Sequence, residues 1–106
     1  MDGTWDRSFA KGAVAPDRIV DLHGDTLARA YERIDAALET AVRDGERVLL
    51  LVTGKAREGA GGRGAIRAAV GDWLAASRHA RAIAAVRAAH PRHGGAGALY
   101  VVLRKR

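Results

Sequence analysis

The chain contains no cysteine, which closes off a disulfide framework, a thiolate metal site and a thiol nucleophile. It is poor in aromatics, with two tryptophans, two tyrosines and one phenylalanine. A site that binds nucleic acid by stacking on bases therefore has little to build with. There is no apolar run of about eighteen residues, so no membrane-spanning helix is expected. The N-terminus, MDGTWDRSFAKG, lacks the apolar segment of a signal peptide. The expectation is a soluble cytoplasmic protein without a membrane partner. Acidic residues are also missing from one part of the chain: none follows Asp72.

That last absence makes the charge lopsided. Residues 1–46 carry a balance of −4, residues 47–106 a balance of +10, and the whole chain +6. A segregated basic half is what a phosphate-backbone binder presents, although a solvated arginine-rich face has the same composition. The 106 residues are enough for one domain with a modest core. Much of the 48% hydrophobic content is alanine, so the few large side chains mark the core. Val20, Leu22, Leu38, Leu49, Leu51, Val70, Trp73, Leu99 and Val101 are expected there, with Tyr31 on the same kind of apolar helical face.

Residues 1–17 read as an N-terminal arm, in which Trp5 and Phe9 stand four apart and can anchor a helical turn. The domain proper is residues 18–106. Arg18 to Leu22 reads as a first strand. Leu27, Tyr31, Ile34, Leu38 and Ala41 recur at helical spacing, which predicts a helix from about Thr26 to Asp44. Asp25 or Thr26 can cap its start, and Gly45 suits its C-terminal left-handed position. Val48–Val52 is a continuous apolar run, as for a strand paired on both sides. A second helix is expected over Ala65 to Ser77, a weaker strand over Ala82 to Ala88 and a last strand over Ala98 to Arg104.

The order β-α-β-α-β-β with short connections predicts an α/β two-layer sandwich. It has a mixed four-stranded sheet with two helices on one face, the other face being partly open. Two βαβ units of this length imply parallel pairing among the first three strands, and the final hairpin adds an antiparallel one.

Open α/β sheets place their sites where strand ends meet helix starts. Asp21 and His23 lie at the end of the first strand, and Thr53-Gly54-Lys55 lie at the end of the second. In a strand, residues i and i+2 share a face, so Asp21 and His23 stand together while Val20 and Leu22 turn into the core. Asp21 can hold the imidazole in one tautomer, or the pair can share a divalent metal and its water. Equally, His23 can cap the turn while Asp21 bonds backbone.

Gly54-Lys55 does not open a nucleotide-triphosphate loop, because Leu49 stands five residues before Gly54 and Ala56 follows Lys55. No nucleotide cofactor is expected. The segment 54–64, GKAREGAGGRG, is instead a glycine-rich basic loop running into a helix, suited to phosphate or to plain flexibility. His90 and His93 have metal-ligand spacing but no third local ligand. Gly94, Gly95 and Gly97 mark a tight turn or a close backbone approach.

With Asp21-Leu22-His23-Gly24, Thr53-Gly54-Lys55 and His93-Gly94-Gly95-Ala96-Gly97-Ala98-Leu99-Tyr100 in this order, the sequence resembles the small MutS-related (Smr) domain. The match covers about residues 18–106, and the arm around Trp5 looks like the leader of stand-alone bacterial members. One departure is Ala56, where the family usually has glycine.

The resemblance implies a fold similar to the C-terminal domain of translation initiation factor 3. It also implies nucleic-acid binding and, in several members, endonuclease activity on DNA or RNA. Carried over by motif, Asp21 and His23 are the catalytic pair, and they are the ligands of any divalent ion, magnesium or manganese. The same carry-over makes Lys55, Gly94, Gly95 and Gly97 the nucleic-acid surface, and the basic residues Arg57, Arg63, Arg67 and Arg92 with His93 are expected to extend it. The expected activity is phosphodiester cleavage with structure rather than sequence preference, by a monomer or weak dimer. The alternative is a non-catalytic nucleic-acid-binding module in DNA repair or recombination, or in ribosome-associated RNA quality control.

Overall fold

A computed structural model of the chain describes residues 15–54, 65–89 and 97–105. The elements are β1 (Arg18–Asp21), α1 (Leu27–Asp44), β2 (Val48–Val52), α2 (Ala65–Ala76), a single 3-10 turn (Ala80–Ala82), β3 (Ile83–Ala88) and β4 (Ala98–Leu103). The expected β-α-β-α-β-β order therefore holds, with ends shifted by one residue or so. Trp5 and Phe9 lie outside the described residues.

Helix α1 is delimited at both ends by side chain and backbone chemistry. Thr26, and not Asp25, is its N-cap: its Oγ1 accepts from Arg29 N at 3.1 Å. At the other end Gly45 takes φ +73°, which an L side chain resists, and Glu46 N donates back to Ala41 O at 2.9 Å. This closure turns the chain straight into β2. Two further contacts hold that corner. Asp17 accepts from Arg47 N and Val48 N at 2.8 and 2.9 Å, and Arg18 makes a two-pronged contact with Glu46 at 2.8 and 2.9 Å.

The sheet order is β1-β2-β4-β3. β1 pairs parallel to β2, while β4 pairs antiparallel to both β2 and β3. The third strand thus runs in the same direction as the first two, but it does not pair with β2 as expected. β4 lies between them, and the physical reason is burial. All six residues of β4 are buried, so this strand needs cover on both faces and a neighbour on both edges. The alanine-rich β3, with half-buried Arg87, tolerates the sheet edge.

Alternation along the strands builds two cores. Val20, Leu22, Leu49, Leu51, Leu99, Val101 and Leu103 pack with Ala30, Ile34, Leu38 and Ala41 of α1 and with Ile66, Val70 and Leu74 of α2. Both helices therefore cover one face. The opposite face gathers Val48, Leu50, Ala98, Tyr100 and Val102. It was expected to be partly open, yet Tyr100 and Val102 are 0% exposed. Among the described residues no helix contributes to this second cluster.

Of the expected core, Trp73 is only half-buried, against the rim of the helix-side cluster, and Tyr31 is 51% exposed. The two rings meet edge-on, 5.5 Å apart at 85°. Leu27 and Tyr31, at the margin of the apolar side of α1, are exposed. No described helix is long and apolar enough to cross a membrane.

Candidate functional site

Parallel pairing of β1 with β2 brings the ends of both strands to one edge of the sheet, with Asp21 opposite Val52. Leu22, fully buried, anchors the next step: its N–H donates to Val52 O at 2.7 Å. The chain then turns through Gly24 at φ +85°, and Asp25 N donates to Leu22 O at 3.0 Å. Val20 and Leu22 point inward and Asp21 and His23 outward, as alternation requires. The strand ends at Asp21, however, so the pair meets across the start of a turn and not along a strand.

The pair is joined twice. Asp21 Oδ1 accepts from His23 N at 3.2 Å, the local ring that aspartates form with the residue two ahead, and it is also hydrogen-bonded to His23 Nδ1. Both side chains are more than half exposed. The His23 ring bond holds the Asp21 carboxyl below the usual carboxylate range, with help from His23 N–H and the charges of His23 and Arg33. Partial desolvation works against them. An ionised carboxylate opposite Nδ1 places the ring proton there, which leaves Nε2 for a substrate.

The second motif lies directly against this pair. Gly54 takes φ +77°, and a Cβ built on it would stand 3.8 Å from His23 Cβ. Thr53 is buried, with its hydroxyl donating to Gly54 O at 2.8 Å and Gly97 O at 3.3 Å. Thr53 N and Gly54 N also donate to Gly97 O, at 2.8 and 3.0 Å. One carbonyl thus ties the end of β2 to the residue before β4. Of the three sequence motifs, the structure joins Asp21/His23, Thr53-Gly54 and Gly97 at a single edge.

Arg67 sits half-buried in the first turn of α2, and among the described residues nothing joins it to the pair. Lys55, Arg57, Arg63, Arg92, His93, Gly94 and Gly95 lie outside the described residues. Arg33 was not singled out from the sequence, and Asp25 only as a helix cap. Arg33 of α1 donates from Nη1 to Asp21 O at 2.7 Å and to Asp25 Oδ2 at 2.8 Å. A bond to a backbone carbonyl twelve residues away has no sequence signature. An acid and an arginine eight apart suggest a shared helix face only if both are helical, and Asp25 is not.

Asp21 and His23 do not form a metal cradle. The ring nitrogen and the carboxylate oxygen face each other and not a common third point. Among the described residues no three His, Cys, Asp or Glu side chains gather. What the described residues offer is an exposed imidazole, oriented by a carboxylate, beside the backbone of Gly54.

Comparison with known proteins identifies the family of the chain. A search of curated proteins finds no match. Among solved structures, the chain is similar to the Smr domain of MutS2 from Thermus thermophilus. The identity is 34% and the TM-score 0.66, over 82% of this chain and 98% of that one. It is also similar to YdaL, a stand-alone small MutS-related protein from Escherichia coli. There the identity is 26% and the TM-score 0.80, over 99% of this chain and 78% of that one. The family model described as Smr domain matches residues 20–104. The chain therefore belongs to the Smr domain family of nuclease-like nucleic-acid-binding modules.

Proposed function

We propose that this protein is an endonuclease that cleaves phosphodiester bonds of DNA or RNA, with His23 exchanging the proton and Asp21 orienting it. The observation that carries the reading is the bond between Asp21 Oδ1 and His23 Nδ1 on an exposed sheet edge, against the backbone of Gly54. The neutral imidazole, with its proton on Nδ1, accepts a proton at Nε2 from the attacking group. The imidazolium that forms is stabilised by Asp21, and Nε2 then returns the proton to the leaving oxygen. Positioned acid–base help of this kind is worth about a hundred- to ten-thousand-fold in rate.

Binding in this reading falls to the basic half of the chain, where the balance is +10 over residues 47–106. Lys55, Arg57, Arg63, Arg67 and Arg92 supply phosphate contacts, and His93, Gly94, Gly95 and Gly97 complete the nucleic-acid-binding set. A surface that reads backbone charge and shape has little base specificity, which supports a preference for nucleic-acid structure over sequence.

The test is cleavage of matched single-stranded, duplex and branched DNA and RNA by wild type, His23→Ala and Asp21→Ala. Loss of cleavage with retained binding in both variants supports the reading. Binding without cleavage by wild type on every substrate replaces it with the non-catalytic module.

A further inference from the structure

We propose that Arg33 is a positioning residue for the Asp21–His23 pair, acting through Asp25. The inference rests on the reading of that pair as the acting groups and adds a residue outside the three motifs. Its basis is the β1–α1 turn, whose own ties are local: the bonds of His23 to Asp21 Oδ1 within it and a backbone bond across it. Gly24 sits at its centre with φ +85°, and one backbone bond, Asp25 N to Leu22 O at 3.0 Å, spans it. Glycine there leaves the turn wide conformational freedom. His23 lies within this turn, between Asp21 at the strand end and Gly24, so its local bonds to Asp21 depend on how the two ends of the turn are held.

Arg33 ties them with one atom. Its Nη1 donates to Asp21 O at 2.7 Å, at the strand end, and to Asp25 Oδ2 at 2.8 Å, on the far side of the turn. Because β1 is an edge strand, a side chain supplies the donor that a further strand would otherwise provide. The guanidinium comes from the second turn of α1, whose start is itself fixed by the Thr26 cap. Next to it, Ala36, Ala37 and Thr40 are small and line the groove between α1 and β1, leaving the arginine room to reach the strand edge. The Asp25 side chain is only 17% exposed, and Arg29 Nε stands 3.9 Å from its other oxygen. Asp25 is therefore held between two cations and keeps Arg33 aimed at the turn. The positive charge on Arg33 also helps keep Asp21 ionised, and so able to accept from Nδ1.

The experiment reads the His23 tautomer directly, by nitrogen-15 NMR of the imidazole in the full chain. The variants are Arg33→Met, Arg33→Lys and Asp25→Asn, with Arg78→Met as a control that removes a different arginine ion pair. Wild type and control are expected to show the neutral ring protonated chiefly on Nδ1. Arg33→Met is expected to release the ring toward a mixture containing the Nε2-protonated form. Arg33→Lys restores the wild-type signature in part, because one ammonium nitrogen can also donate to two acceptors. Asp25→Asn falls between wild type and Arg33→Met, and it decides the matter together with Arg33→Lys should Arg33→Met fail to fold. On a cleaved substrate, Arg33→Met should lower kcat about ten- to a hundred-fold through misplacement, with KM within about two-fold. A folded Arg33→Met, or failing it Asp25→Asn, that keeps the wild-type tautomer overturns the proposal. Absence of cleavage by wild type overturns the nuclease reading instead, and leaves the tautomer result to stand on Arg33 alone.

Discussion

Gly54 and His23 meet where β1 and β2 end: a Cβ on Gly54 would lie 3.8 Å from His23 Cβ, an ordinary contact distance. The constraint at Gly54 is consequently its φ of +77°, not lack of space. Gly54→Ala is expected to cost about 1–2 kcal/mol from the left-handed conformation alone. Gly54→Asn should cost less, because asparagine tolerates that region. Urea unfolding of the two variants checks this, and equal losses would point to a clash at His23 instead.

Thr53 is buried, and its hydroxyl joins Gly54 O and Gly97 O. Thr53→Val keeps the shape and removes the donor. The two backbone N–H groups still satisfy Gly97 O, so the loss should be about 0.5–1.5 kcal/mol and not the larger cost of an orphaned carbonyl. A loss well above that range would show the hydroxyl to be the main tie between β2 and β4.

Tyr31 and Trp73 pack edge-to-face on the outer surface of α1 and α2. Trp73→Ala should therefore cost less than the roughly 3–5 kcal/mol of a fully buried tryptophan. A double-mutant cycle with Tyr31→Ala should return a coupling of about 0.5–1.5 kcal/mol. No coupling would mean the rings do not meet in solution.

These residues also show what sequence periodicity conveys. The spacing Leu27, Tyr31, Ile34, Leu38, Ala41 correctly marked a helix and its apolar side, but a period does not say how deeply each residue of that side is buried. Tyr31 is half exposed at the margin of that side, edge-on to Trp73. In the same way, the apolar runs of β2 and β4 were legible as strands, whereas their order was not. Side-chain pattern reports how much of a strand is covered, and the neighbour that covers its edge comes from elsewhere in the chain. The unbroken run from Ala98 to Leu103 carried the hint of a central strand. The pairing of Asp21 with His23 was legible because the two are local. The Arg33 contact was not, since it ends on a backbone carbonyl.

Binding should be dominated by phosphate charge. Affinity is expected to fall steeply with salt, and neutralising Lys55, Arg57 and Arg63 should flatten the logarithmic slope by up to about one unit per lost contact. A slope that salt does not change would remove the basic half from the binding surface.

The Asp21 carboxyl should titrate below its ordinary value of about 3.9, because the ionised form is what His23 binds. Its folded pKa being lowered, the stabilisation from this contact is present above the unfolded value and is lost as pH falls through it toward the folded pKa. Both groups are largely exposed, so the energy involved is small and the titration, not the melting curve, is the proper readout. Carbon-13 NMR of the Asp21 carboxyl should give a midpoint below about 3.9 in wild type and a higher one in His23→Ala. An unchanged midpoint would show that the ring bond is not formed in solution.

The same pair makes the kinetic prediction that separates a nuclease from a binding module. His23→Ala removes the proton-exchanging group, and Asp21→Ala removes the carboxylate that orients it and stabilises the imidazolium. Each should lower cleavage by about a hundred- to ten-thousand-fold. Neither group is placed among the phosphate-binding cations, so affinity should stay within a few-fold, and the loss should fall on kcat with little change in KM. Because the two act as one unit, the double variant should be little slower than the slower single variant. Multiplying losses would mean that Asp21 and His23 serve separate steps. Cleavage that survives both substitutions would place the chemistry elsewhere on the molecule.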